Sequence, residues 1–528
     1  MEPPPLSPLP LEETPEPPRR TGAAAAACLH GGEARGVRVE AVLDRGLSRV
    51  VLVGMPDQIA REARERLPRA LESHGLAFPS GQVLFNLVPA QIPKRGLPLD
   101  LALAVALLRA SGQAPRRPRP DFLFLGELDL EGRIGPPARG AFLAALRARD
   151  EGRTLVAAPA AAREASLVEG CEALACRHLG EVLQVLRDPG VRPAFRVPAG
   201  PRAAGPPEEE GLLEDVRGQV PARRAALAAA CGGHPLLLQG PPGTGKSLLA
   251  RRLRSLLPDL APRTARELAR TEALRGPLEA LPRRPPLRAP HASVSLQALL
   301  GGGAPLLPGE LPRAHGGVLF LDELPEFRRE ALEALRQPLE EGRVRIHRVR
   351  ESAVFPARVL LVATRNPCPC GFATHPTIPC RCTPHAAERY RLRTSGPLLD
   401  RFHLFVEMAP VPAGILHGPP TSPTSAEARE LLTRARALQE ERRRAGGAGL
   451  PARASLEELQ LAGLSRAART LLRRATDRLA LSARGSLRTL RVARTLADLA
   501  GQRTIQEEQI LEALSLRPER AAEAAATG

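Results

Sequence analysis

Residues 239–250 read QGPPGTGKSLLA, and within them Gly240, Pro241, Pro242, Gly243, Thr244, Gly245, Lys246 and Ser247 satisfy every fixed position of G-x-x-x-x-G-K-[ST]. An apolar run, PLLL, precedes the glycines, and a helix-forming run, LLARRLRSLL, contains the residues that follow Ser247. Strand, glycine turn and helix in that order make a phosphate cradle, because backbone N–H groups close around the anion and the helix N-terminus adds a positive end. The pattern predicts ATP as cofactor, with Lys246 reaching the β and γ phosphates and Ser247 offering its hydroxyl to Mg²⁺. Lysine is otherwise nearly absent, since 73 arginines stand against Lys94 and Lys246 alone. A compact ammonium on a thin stem fits where a planar guanidinium does not.

Outward from this loop, GGVLFLDE places four apolar residues, Val318 to Leu321, before Asp322 and Glu323. Such a run predicts a central strand whose carboxyl end lies beside the phosphate loop, as in doubly wound sheets. Asp322 is then expected to hold the Mg²⁺ shell and Glu323 to orient the attacking water. A third run, RVLLVATRNP, brings Asn366 to a strand end, placed to contact the γ-phosphate or that water. The strands PLLLQG, GVLFLDE and RVLLVAT are apolar throughout, which suits a parallel sheet covered on both faces.

At 528 residues and 43% apolar content, the chain has room for several globular domains. A net charge of +18 and a pI near 11.0 favour polyanionic partners and salt-sensitive binding. Tryptophan is absent and Tyr390 is the only tyrosine, which argues against base-stacking platforms of the single-strand-binding kind and makes phosphates the expected handle on DNA. No uncharged apolar run reaches the ~18 residues of a membrane helix, and the acidic, proline-rich start is wrong for a signal peptide. These features place the protein in the cytoplasm, away from membranes, where eight cysteines are read as thiols or metal ligands.

Composition divides the chain as follows. Residues 1–33 are a proline-rich tail expected to be disordered, and 34–190 an α+β domain. In that domain VRVEAVLD, SRVVLVGM and QVLFNLVP read as strands, IAREARERLPRALESHG and LPLDLALAVALLRASG as helices, and DFLFLGELDLEGRIGP as a hairpin-like pair. A linker spans 191–211, the ATPase core 212–412, a second linker 413–425, and an all-α lid with a disordered end 426–528.

Two clusters stand apart. CPCGFATHPTIPCRC gathers Cys368, Cys370, Cys380 and Cys382, and thiolates so gathered suit a tetrahedral, structural Zn²⁺. Reduced thiols and a redox sensor are the alternatives, with His375 and His385 as reserve ligands. RVRIHRVR holds Arg343, Arg345, Arg348 and Arg350 in partial alternation and predicts a basic hairpin, either a DNA contact or a charge-guarded sheet edge.

The order GPPGTGKS, RAPHASVSLQALLGGG, PGELPRAHGGVLFLDELPEF, ATRNPCPCG, CRCTP and SGPLLDRF resembles the magnesium-chelatase-like AAA+ ATPases of the ComM/YifB type. The resemblance implies a Lon-protease-like first domain, an AAA+ α/β core and a helical lid. It also implies a homo-hexameric ring with ATP between neighbours, in which Arg401 of LLDRF resembles the arginine finger. Arg484 of LSARGSL resembles the lid's sensor arginine, with Arg491 as second choice. Where the family often has a second histidine after His291, this chain has Ala292. In related ring ATPases the hairpin projects into the pore, so Arg343, Arg345, Arg348 and Arg350 would follow a DNA backbone, with 300–309 as a second pore loop. The implied function is a DNA motor of helicase and branch-migration type, serving integration of transforming DNA. The alternative is a chelatase-like metal-insertion or protein-remodelling ATPase. A serine–lysine dyad has no basis in the first domain, where Lys94 is the sole lysine and no serine lies between Ser80 and Ser111. That domain is expected to be proteolytically inert. The sequence names no protein partner.

Overall fold

Alanine is a weak strand former, yet Arg20–His30 (RTGAAAAACLH) forms an eleven-residue strand paired antiparallel with Glu33–Asp44. This corrects the expectation of a tail running to residue 33. Small side chains let the buried helix Asp100–Ala110 lie directly on this strand: a Cβ on Gly22 would stand 2.2 Å from the Ala106 carbonyl oxygen. The computed structural model describes residues 20–517 except 48, 55–56, 116–121, 199, 201–210, 349–350, 395, 420–421, 447–448 and 462. The rest of the proline-rich tail, most of the first linker and the last eleven residues therefore lie outside the described residues.

Two compact units are distinguished, Met1–Ala203 with Ala273–Leu281, and Ala204–Glu272 with Pro282–Gly528. The first is built on a seven-stranded mixed sheet in the order 49–53, 82–88, 33–44, 20–30, 122–125, 154–157, 173–175. The strands and helices expected between residues 36 and 111 are present. The segment read as a hairpin splits instead: Phe122–Leu125 joins the large sheet in parallel, and only Glu127–Leu128 and Ile134–Gly135 form a short hairpin. Four consecutive buried residues, FLFL, fit an inner strand better than a half-exposed hairpin arm. Lys94 is buried and donates to the Pro89 carbonyl.

The second unit carries a five-stranded parallel sheet, ordered 287–288, 318–321, 360–365, 236–239, 404–407. Its inner strands, LLLQ and VLFL, are buried at every residue, as a parallel sheet covered on both faces requires. The C-terminal helices Ser425–Arg444, Arg466–Arg478, Ala483–Leu499 and Glu507–Ser515 follow. A single apolar cluster joins Leu236, Phe320 and Val362 of the sheet to Leu432, Leu496 and Ile510 of these helices. Polar ties reinforce the junction: His234 Nε2 lies 2.7 Å from Thr495 Oγ1, and the Phe405 N–H donates to the Leu516 carbonyl. Asp498 is buried between Arg442 at 2.7 Å and Arg494 at 2.9 Å, so its charge is compensated inside the helical region. Among the described residues, no helix is long and apolar enough to cross a membrane.

Candidate nucleotide site

The strand Leu236–Gln239 ends in the phosphate loop, and the helix Lys246–Arg252 begins where the loop closes. Gly240 is required by close approach, since a Cβ there would stand 2.2 Å from the Met408 carbonyl oxygen. Gly243 and Gly245 face open space and are required by conformation, with φ of 80° and 89°. Thr244 Oγ1 donates to the Pro241 carbonyl at 2.9 Å, and Gln219 Nε2 donates to the carbonyls of Thr244 and Ala409. Lys246 is buried, and its ammonium donates to the carbonyls of Gly240 at 2.7 Å and Pro241 at 2.8 Å. Burial lowers its pKa below the usual lysine value, while Asp322 and Glu323 act in the opposite sense.

Strand register brings the acidic residues to this loop. Leu321 pairs with Ala363, so the next residues, Asp322 and Thr364, emerge side by side at the carboxyl ends of neighbouring strands. Ser247 Oγ donates to the Asp322 carboxylate at 2.9 and 3.0 Å, and Thr364 Oγ1 donates to Asp322 Oδ1 at 2.5 Å. The same threonine oxygen accepts from the Glu323 N–H at 2.9 Å. Glu323 has φ 54° and ψ 56°, a left-handed conformation uncommon for a non-glycine residue. Ser247 and Asp322 are thus the groups that would hold Mg²⁺, and Glu323, exposed beside them, is open to water. Asn366 follows directly on Arg365, whose carbonyl accepts from the Gly240 N–H at 3.3 Å.

Thr364 and Gln219 are not among the residues expected from the sequence. A lone hydroxyl in the buried run LLVATR was the available signal for Thr364; nothing near Gln219 distinguished it. Thr364→Val keeps the shape, removes a donor to Asp322 and leaves the Glu323 N–H without its acceptor, at about 1–3 kcal/mol. The expected result is a higher Mg²⁺ requirement for ATP turnover with a modestly lower melting temperature, read by Mg²⁺ titration and calorimetry. An unchanged Mg²⁺ dependence would remove Thr364 from the site.

Arg401 pairs with a different carboxylate. Arg401 Nη2 donates to Glu340 Oε2 at 2.8 Å, and this bond, aided by the Arg484 charge, lowers the Glu340 pKa. Arg484 is exposed on the first turn of Ala483–Leu499, while Arg491 donates to the Ala454 carbonyl within the helical region. The basic hairpin is present as Arg343–His347 paired with Ser352–Pro356. Arg343 and Arg345 are exposed on one face and both donate to Glu341 at 3.1 Å. Arg348 lies over the glycine segment, within 3.1 Å of where a Gly302 Cβ would be; Arg350 lies outside the described residues.

The four cysteine sulfurs lie within 4.8 Å of one another. Cys368 Sγ is 3.4 Å from Cys370 Sγ and 3.6 Å from Cys380 Sγ, and the latter two are 3.6 Å apart. Tetrahedral Zn–S bonds of ~2.3 Å would put sulfurs ~3.8 Å apart, so the donor set fits the ion. Backbone N–H groups of Phe372 and Arg381 pull the Cys370 thiol down, while at Cys380 and Cys382 the backbone N–H bonds are outweighed by burial and neighbouring thiols, which raise both, so metal binding would have to displace their protons. His375 is turned elsewhere: its Nδ1 accepts from the Ile378 N–H at 2.9 Å.

Family models match in chain order. Subunit ChlI of Mg-chelatase covers residues 39–161, magnesium chelatase subunit ChlI covers 212–416, and its C-terminal region covers 422–517. An uncharacterized protein of Mycobacterium tuberculosis is 41% identical over 94% of this chain and 98% of its own length. The uncharacterized protein YifB of Escherichia coli and the competence protein ComM of Haemophilus influenzae are each 38% identical, over 92% of this chain and 95% of theirs.

Proposed function

Because the chain belongs to the magnesium-chelatase-like ATPases of the ComM/YifB type, we propose that it is a hexameric, ATP-driven DNA motor with helicase and branch-migration activity. The ATPase half rests on the hydroxyl–carboxylate network Ser247–Asp322–Thr364–Glu323 at the mouth of the phosphate loop. ATP and Mg²⁺ supply the transferable phosphoryl group and the charge that holds it. Lys246 neutralises phosphate, Ser247 and Asp322 fix the metal's position, Glu323 orients water, and Asn366 contacts water or phosphate. Arg401, held at Glu340 within one protomer, is the finger delivered to a neighbour's site, and Arg484 is the lid's sensor arginine.

The DNA half rests on the hairpin. Arg343, Arg345 and Arg348 give a phosphate-tracking surface that needs no aromatic stacking and reads no sequence, and Arg350, outside the described residues, is proposed to act with them. Glu341 occupies two of these arginines through exposed ion pairs, which phosphates can replace because solvent screens such pairs and they hold the side chains weakly. The first unit is proposed to be Lon-protease-like and proteolytically inert, a reading supported by Lys94 donating to a backbone carbonyl. Cys368, Cys370, Cys380 and Cys382 are proposed to hold a structural Zn²⁺. Likeness to a competence protein supports a place in integration of transforming DNA.

ATP turnover is expected to rise on adding forked or single-stranded DNA, to lose that rise in high salt, and to vanish in Lys246→Ala. Steady-state phosphate release with single-stranded, duplex and forked DNA tests this. Turnover indifferent to all three at low salt would overturn the DNA motor and favour a metal-chelate or protein substrate.

A further inference from the structure

The cysteine turn is the outer wall of the phosphate loop. Gly371, in the sequence CPCG, is buried with φ 83°, and a Cβ on it would stand 2.6 Å from Pro242 Cδ and 2.8 Å from Pro242 Cγ. Pro242 is the third residue of the loop that the sequence assigns to phosphate. Its first residue, Gly240, is already fixed by Arg365 and Met408. Gly243 and Gly245 have nothing within 4 Å of a would-be Cβ, while Gln219 holds the loop at the Thr244 carbonyl and Gly371 meets it at Pro242.

Gly371 sits in the turn that carries the sulfur cluster. The Gly371 N–H donates to the Cys368 carbonyl at 3.0 Å, closing a turn that carries Cys368 and Cys370. The segment returning to Cys380 and Cys382 is mostly exposed, with Ile378 44% accessible, so it has little apolar packing of its own. It rejoins the turn at the sulfurs and through the Cys370 N–H donating to Cys382 Sγ at 3.4 Å. A short loop without a core is ordered by the metal that closes it.

We infer that the metal-filled cysteine turn is a positioning element of the nucleotide site, holding the phosphate loop through the Gly371–Pro242 contact so that metal loading sets ATP affinity. This rests on the zinc reading above. Gly371 and the four cysteines are positioning residues, since they act on nucleotide through Pro242.

The test uses the full chain and reads metal content by mass spectrometry beside the Kd of a fluorescent ATP analogue in excess Mg²⁺. About one zinc per chain is expected. Stripping with a thiol reagent and a zinc-selective chelator, followed by reduction, should raise the Kd about tenfold or more, and added Zn²⁺ should restore it. Gly371→Ala is a second variant that leaves every sulfur in place. It should keep its zinc yet raise the Kd by about tenfold, because a left-handed non-glycine residue and the contact with Pro242 both push on the loop. Zinc present, with the Kd unchanged both on stripping and in Gly371→Ala, would overturn the coupling while leaving the metal site standing. A chain that takes up no zinc even when it is supplied would overturn the zinc reading and the inference with it.

Discussion

Arg401→Ala is expected to lower ATP turnover by roughly 10³- to 10⁵-fold while nucleotide still binds, the range an arginine finger contributes to phosphoryl transfer. The structure separates this from a folding effect. Among the described residues Arg401 has one ion pair, to Glu340, with side-chain accessibilities of 28% and 61%. An exposed pair of that kind is worth ~0–1 kcal/mol, too little to account for three decades of rate. The melting temperature should therefore barely move in Arg401→Ala or in Glu340→Ala. Mixing then locates the arginine's site of action. Arg401→Ala retains Lys246, and Lys246→Ala retains Arg401, so a mixed ring that recovers turnover shows that finger and phosphate loop come from different protomers. Turnover within about tenfold of the parent would remove Arg401 from the finger role, and loss without recovery on mixing would place its action within one protomer.

Glu323→Gln should lower turnover by roughly 10²- to 10⁴-fold, the usual contribution of a positioned general base, and leave ATP bound. Asp322 and Glu323 are adjacent carboxylates with different surroundings. Asp322 accepts hydrogen bonds from Ser247 and Thr364 and is committed to the metal side of the site. Glu323 stays exposed, and its backbone is held left-handed by the Thr364 hydroxyl. The amide keeps the volume and removes the proton acceptor, so binding and chemistry come apart. Phosphate release and analogue binding on the same preparation check this, and equal loss of both would reassign Glu323 to binding.

Glu323 was legible for a local reason, whereas Arg401 was picked out only by the family resemblance of LLDRF. A glycine loop between an apolar strand and a helix, or four apolar residues ending in Asp-Glu, carries its chemistry in consecutive positions. The cysteine cluster was legible for the same reason. Arg343 and Arg345 were recognisable as a basic face, but their shared partner Glu341 was not, because ion pairing depends on how a helix end meets a strand.

By itself the sequence determined the nucleotide loop, the acidic strand end, the thiolate cluster and the alternation of strands and helices that makes a parallel core. Tertiary structure decided the rest. It drew the alanine-rich residues 20–30 into a sheet, since small side chains acquire value only once a helix packs on them. It selected Thr364 by strand register, paired Arg401 with Glu340, and set Gly371 against Pro242. Each of these contacts joins residues far apart in the chain, and such contacts form only when the sheet order and its register are fixed.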